Sequence, residues 1–229
     1  MSRTITLTGT SSVLSATFVQ PLILDGEYGI GLIDFHTFNS IPNVNETNNI
    51  IKIGNEVIDI PIGTYEIDEI NSFINSELKK RSSTEKDAFH LRGNLNTMKC
   101  EMMSDTLDVD LTSPSSIAPL IGFHKKIYSA SKKHESQLPV DVMNVDDIRI
   151  ECNVAVGSFD NDRPSSIIYS FYPDTPPGFK LIQRPSAIIY YPLNTDKISE
   201  IRVRILDQEN RLVNFRGERV TLRLHISRQ

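Results

Sequence analysis

Tryptophan is absent from this 229-residue chain, so a sugar-binding platform would have to be built from Tyr or Phe. Cysteine is scarce. Cys100 and Cys152 are the whole complement and lie far apart in sequence, whereas a secreted disulfide scaffold shows a denser, even set. They read as reduced thiols in a cytosolic or nuclear setting. A basic surplus is missing as well: 24 Lys and Arg stand against 29 Asp and Glu. The resulting net charge of −5 argues against a dedicated or sequence-specific nucleic-acid binder. No apolar run approaches the ~18 residues of a membrane span. The first six residues lack the apolar stretch of a signal peptide. A soluble intracellular product with no membrane partner is the expectation, and the sequon Asn45-Glu46-Thr47 is then unused.

Catalytic groupings are equally sparse. The five histidines (His36, His90, His124, His134, His225) include no pair at zinc-ligand spacing. Asp34-Phe35-His36 places a carboxylate and an imidazole on one strand face, without a nucleophile nearby. Gly29-Ile30-Gly31 sits inside a strand pattern with no helix after it, so it is not a phosphate loop. Asp105, Asp108 and Asp110, and separately Asp160-Asn161-Asp162, carry the oxygens calcium takes; acidic turns and solvated strand faces explain them more simply. Arg216-Gly217-Glu218 differs from an integrin-binding tripeptide by one methylene, and Gly217 reads as a bulge or positive-φ residue entering the last strand. Neither an enzyme nor a metal or cofactor is expected.

What the chain does have is period-two alternation. Val220, Leu222, Leu224 and Ile226 fall on one face of an extended segment, with Thr221, Arg223 and His225 on the other. Ile201, Val203 and Ile205 alternate with Arg202 and Arg204 in the same way. Such alternation marks half-buried strands. Further strands are expected at 13–18, 29–38, 148–156, 167–171, 179–182 and 187–191, with a pair at 98–102 and 107–111. Gly54-Asn55 between two apolar runs predicts a tight hairpin. Ile67, Ile70, Phe73, Ile74 and Leu78 predict one amphipathic helix over about 67–80, with acids in its first turn and bases in its last. Ser82–Asp87 reads as a polar connector. Residues 1–12, rich in Ser and Thr, read as a loose N-terminal arm, and 13–229 as one domain. The expected fold is all-β: an antiparallel β-sandwich, a single jelly roll with one inserted α-helix. If the last two strands are neighbours, Arg202, Arg204 and Arg223 gather on one sheet surface. That surface is a candidate subunit interface, a docking face for an acidic subunit neighbour or for packaged DNA; otherwise it is a solvated face with local carboxylates.

A resemblance adds to this reading. It is carried by 148–158, Ile168-Tyr169-Ser170-Phe171, Pro177-Gly178-Phe179-Lys180-Leu181-Ile182 and Arg184-Pro185. It continues through Ile189-Tyr190-Tyr191-Pro192-Leu193, 201–207, Val213-Asn214-Phe215-Arg216-Gly217-Glu218 and 222–225. Ile60-Pro61-Ile62-Gly63-Thr64-Tyr65 and Ser115–Phe123 contribute earlier, with Ile121 where Leu is usual. In this order the segments resemble the minor capsid (penton) proteins of Polinton/Maverick elements and the related adintoviruses. The resemblance implies a single jelly roll assembling as a homopentamer at a capsid vertex, beside a double-jelly-roll major capsid protein. It also implies a place in the virion, reached through assembly in the host nucleus or cytoplasm. The competing expectations are a trimeric cytokine-like or lectin-like binding module and a trimeric capsid jelly roll.

Overall fold

The computed structural model describes residues 2–82, 88–142 and 145–229; most of the expected connector at 82–87 lies outside them. In chain order the strands begin with β1 (Arg3–Gly9), β2 (Val13–Ile23) and β3 (Tyr28–Phe38). They continue with β4 (Ile50–Ile53) and β5 (Glu56–Asp59), helix α1 (Ile67–Ser82), β6 (Phe89–Asn94), β7 (Lys99–Ser104), β8 (Val109–Asp110), β9 (Ile127–Tyr128) and β10 (His134–Glu135). The last set is β11 (Ile148–Cys152), β12 (Ser158–Asp160), β13 (Arg163–Ser165), β14 (Ile167–Phe171), β15 (Lys180–Gln183), β16 (Tyr191–Pro192), β17 (Lys197–Leu206) and β18 (Val220–Arg228). The chain divides into two compact units, Met1–Ile41 with Val145–Gln229, and Pro42–Asn144. In place of the one domain expected over 13–229, a second unit is inserted in sequence between β3 and β11.

The first unit is a jelly roll. One sheet runs β1-β18-β3-β15, with β16 also on β3, and the other runs β14-β11-β17-β2. Counting these eight strands in chain order, the sheets read 1-8-3-6 and 5-4-7-2, the nested Greek-key order of that fold. Both sheets feed one core. Ile201, Val203 and Ile205 come from one side, and Val220, Leu222, Leu224 and Ile226 from the other, all fully buried. Phe35 spans between them, its ring 5.2 Å from Phe171 and 6.2 Å from Phe215. Tilted aromatic contacts at such separations add to the area they bury.

Residues 3–9 correct the expectation of a loose arm. They pair in register with the last strand, Ile5 opposite Leu224 and Leu7 opposite Leu222. Only two large apolar residues, alternating with Thr4, Thr6 and Thr8, are needed to seat this edge strand, because its partner's inner face is already buried.

The second unit has its own core, which includes Ile51, Ile58, Ile70, Ile74, Phe89 and Met102. The hairpin between β4 and β5 forms as expected, with Ile53 opposite Glu56 and Gly54 at φ 59°. Helix α1 buries Ile70, Ile74 and Leu78. Its first turn is closed by Glu69, whose carboxylate accepts the Glu66 N–H at 2.8 Å, half of a capping box. Its polar residues act too. The Asn75 side chain donates to the Phe89 carbonyl at 2.6 Å and accepts the Phe89 N–H at 3.1 Å, and Asn71 accepts the Leu91 N–H at 2.9 Å. Two asparagines one turn apart thus replace the missing neighbour of edge strand β6. The expected pairing of 98–102 with 107–111 does not occur: β7 pairs with β6 and β10, whereas β8 pairs with β4 and β9.

A strap lies on the outer face of the first sheet. A Cβ at Gly31 would sit 2.5 Å from both the Ile189 carbonyl and Ile188 Cγ2, and one at Gly29 would sit 2.8 Å from Tyr190 Cβ. Gly29 and Gly31 are therefore the flat floor under residues 188–190. The expected strand over 187–191 is reduced to Tyr191–Pro192 for that reason. At Gly217, where φ is 77°, an added Cβ would meet no atom within 4 Å, so only its backbone conformation demands glycine. Gly31→Ala is expected to cost about 3 kcal/mol by overpacking, and Gly217→Ala about 1 kcal/mol by its positive φ. Urea unfolding of the two variants checks both the values and their order.

Candidate assembly surfaces

The three candidate arginines do not form one surface. Arg202 and Arg204 are exposed on β17 in one sheet, and Arg223 is on β18 in the other. Because the inner faces of both sheets share one core, their outward side chains leave from opposite sides of the sandwich. The expectation treats consecutive strands as neighbours, but the link at 207–219 carries the chain from one sheet to the other. Each arginine also has a carboxylate at hand. Arg202 reaches Glu200 at 3.2 Å and Arg204 reaches Glu151 at 2.6 Å. Exposed pairs of this kind contribute roughly 0–1 kcal/mol each.

Arg149 is set more firmly on the same outer face. Its guanidinium contacts Asp147 at 2.8 Å and Asp160 at 3.0 Å, and these carboxylates hold its pKa above the usual value. Asp160 thereby ties the β12–β13 hairpin to β11, with Asn161 at φ 55° in the turn. A surface cleft of about 670 Å³ opens there, lined by Arg149, Glu151, Asp160 and Arg204 among others. Two pairs of its facing charges, Arg149 with Asp160 and Arg204 with Glu151, are already closed.

On the first sheet, a bulge between Arg223 and Leu224 sets Asp34 opposite Arg223 while Leu32 meets Leu224. The extra residue, Ile33, lets Leu32 and Phe35 both turn inward and leaves Asp34 facing out. Asp34 is buried and accepts a forked pair of bonds from Arg223 Nε and Nη2. The Arg223 hydrogen bonds are the first cause of its carboxyl being held below the ordinary range. His36 lies beside them, half-buried, with Nε2 enclosed and without a hydrogen-bond partner among the described residues. Burial lowers its pKa first; Asp34 opposes this, while Lys180, Arg223 and Arg184 add to it. The pairing decides the role of Asp34-Phe35-His36: the carboxylate serves Arg223 and does not orient the imidazole. Farther along, Tyr190 Oη and His225 Nδ1 are 2.5 Å apart, which pins the strap to β18. In the sequence, the two glycines of β3 are the only trace of the strap and its pin.

The remaining sequence candidates have local roles. Asp108 accepts the Ala130 N–H at 2.8 Å and Asp110 accepts the Thr112 N–H at 2.9 Å. No group of three His, Cys, Asp or Glu poised for a metal occurs among the described residues. Cys100 and Cys152 are buried free thiols, pushed by desolvation to about 12 and about 11, far from the thiolate form that reacts. Arg216 at φ 53° and Gly217 form the tight turn before β18, as read for Gly217, with the Glu218 N–H on the Phe215 carbonyl at 3.0 Å.

By sequence, no protein-family model and no curated protein matches the chain. The fold is similar to that of the mavirus penton protein. The two superimpose with a TM-score of 0.53 over 99% of each chain, at 11% identity. The likeness extends to the whole chain, including the inserted second unit.

Two outcomes follow from the charges on the first sheet. Arg223→Leu strands a buried carboxylate, so it should lower the unfolding temperature more than Asp34→Leu does. The double variant should recover part of that loss. His36 has a folded pKa below its unfolded value near 6.5, so the unfolded chain takes up the proton first. The stability His36 contributes is thus present above pH 6.5 and lost as pH falls below it. Unfolding temperatures between pH 7.5 and 5 should fall for the wild type and flatten for His36→Gln.

Proposed function

We propose that the chain is a structural capsid protein, the penton subunit that closes the vertex of a virion, and that it has no catalytic role. The observation that carries this reading is the end-to-end correspondence with a penton protein, over 99% of each chain. The residues that resemble the Polinton/Maverick and adintovirus proteins lie mostly on β11 to β18, in the jelly-roll unit itself. That agreement supports a source in this group of elements. The function would be assembly: five copies close into a ring by a heterologous contact, surrounded by a double-jelly-roll major capsid protein. The paired outer face that carries Arg149, Arg202 and Arg204 is proposed as a contact with those neighbours, since its salt bridges leave it polar with its arginines compensated. The site of assembly would be the host nucleus or cytoplasm.

Native mass spectrometry of the full chain tests the reading. Five copies of the 25.8 kDa chain is the expected mass. Three copies would favour a trimeric capsid or binding jelly roll, and a monomer at all concentrations would sink the assembly role.

A further inference from the structure

Between Arg3 and Asp25 lie 21 consecutive residues without a charged side chain or a histidine. They make up nearly all of β1 and β2. Each is an edge strand, β1 of the first sheet and β2 of the second. Only residues 10–12 join them, a link of at most about 14 Å, too short to cross two sheets four strands wide. The two edges are therefore stacked along one side of the sandwich. By the strand orders, β14 and β15 are stacked along the opposite side.

Exposed edge strands are ordinarily protected by charge, especially lysine, because they otherwise invite association. The β1/β2 side has no such protection. Thr4, Thr6 and Thr8 are exposed along it on the outer face of β1, and Ser15 and Thr17 on that of β2. Arg223 lies opposite Thr6 and Arg202 opposite Ser15, one strand inward. Val19 is fully exposed and Ile23 is 61% exposed. Val19 stands on a bulge, because four residues, 18–21, face Ser199 alone between the pairs Thr17–Glu200 and Leu22–Ile198. On the opposite side β15 carries charge, at Lys180 with Arg184 just after it, but β14 and the link that follows it carry little. From Pro164 to Phe179 only Asp174 is of the Asp, Glu, Lys, Arg or His type, and Tyr172 and Phe179 are 74% and 65% exposed.

We infer that the β1/β2 side is the surface against which the β14/β15 side of a second copy docks. The two sides match in chemistry: an edge without charged side chains of its own and with aliphatic projections meets the β14 part of the opposite flank and the link after it, where one acid and two projecting aromatic rings stand. Depletion of charge with aromatic enrichment is the composition of an interface core. The sides lie on opposite flanks of one sandwich, so the contact is heterologous and propagates from copy to copy, as a ring requires. This inference rests on the assembly reading above and names the surfaces that reading needs.

The test uses the full chain with two pairs of exposed substitutions, Thr17→Lys with Val19→Lys and Tyr172→Lys with Phe179→Lys. Native mass spectrometry and sedimentation are run beside thermal unfolding. Each double variant is expected to keep its unfolding temperature and to be monomeric where the wild type is a ring. Mixed in equal amounts they should form a one-to-one dimer and nothing larger, since only one intact pair of surfaces remains. If either variant keeps the wild-type mass, the inference is overturned while the assembly reading stands. If only the β1/β2 variant dissociates, that side pairs with itself and the heterologous contact is wrong. A monomeric wild type overturns both. Should a lysine pair lower the unfolding temperature, Thr17→Asn with Val19→Asn and Tyr172→Ser with Phe179→Ser replace it, with the same outcomes read as weaker association.

Discussion

The jelly-roll unit depends on one constraint, that β17 and β18 bury their apolar faces in a common core. Ile201, Val203 and Ile205 on one strand, and Val220, Leu222, Leu224 and Ile226 on the other, are all sealed from solvent. Each strand is also interior to its own sheet, β17 between β11 and β2 and β18 between β1 and β3. The other strands of the two sheets are hydrogen-bonded to one of these two or to a strand that is. Burial of seven such side chains, at roughly 1.5–3 kcal/mol each before entropy is counted, makes this a large apolar contribution to the unit. It also dictates that every outward residue of β17 faces away from every outward residue of β18.

That constraint explains how the surface charges are used. Arg223 sits above a bulge that aims Asp34 at it, so a carboxylate can be buried on the outer side of a sheet without being left unpaired. Arg202 and Arg204, on the other sheet, are themselves exposed and meet carboxylates that are only partly buried, and their pairs are correspondingly weak. The first sheet then accepts a covering strap because β3 presents glycine at 29 and 31. Charge pairing and the absence of two side chains are thus parts of one outer-face arrangement.

Most strands, the helix and the tight hairpin are legible in the sequence because each leaves a periodic mark several residues long. Ile67, Ile70, Ile74 and Leu78 could hardly signal anything but a helix face. The N-terminal strand is not legible, since Ile5 and Leu7 are its only large apolar residues, set in a Ser/Thr-rich context. Partners are harder still. Nothing in 98–111 reveals that β7 turns to β6 and not to β8, because antiparallel pairing depends on tertiary context as well as local pattern. The two-unit division is hidden for a related reason: Ser40-Ile41-Pro42-Asn43 reads as a loop, and no shift of composition marks it as a boundary. The single arginine surface fails on topology. It requires strands adjacent in sequence to share one sheet, whereas a Greek-key order places them in two.

The same topology gives the unprotected edge its meaning. A jelly roll has four edge strands, and a free monomer would be expected to guard them with charge, as β15 does with Lys180 and the nearby Arg184. On β1 and β2 the guard is missing over nearly the full length of both strands, and a bulge pushes Val19 outward where bulges usually serve to turn an edge away from pairing. Aggregation would be the consequence if the edge matched itself. A bulged, twisted edge is a poor template for its own copy, however, and a better socket for a surface of different shape. The flank that carries Tyr172 and Phe179 supplies a different shape, on the side of the sandwich where only a head-to-tail neighbour could bring it.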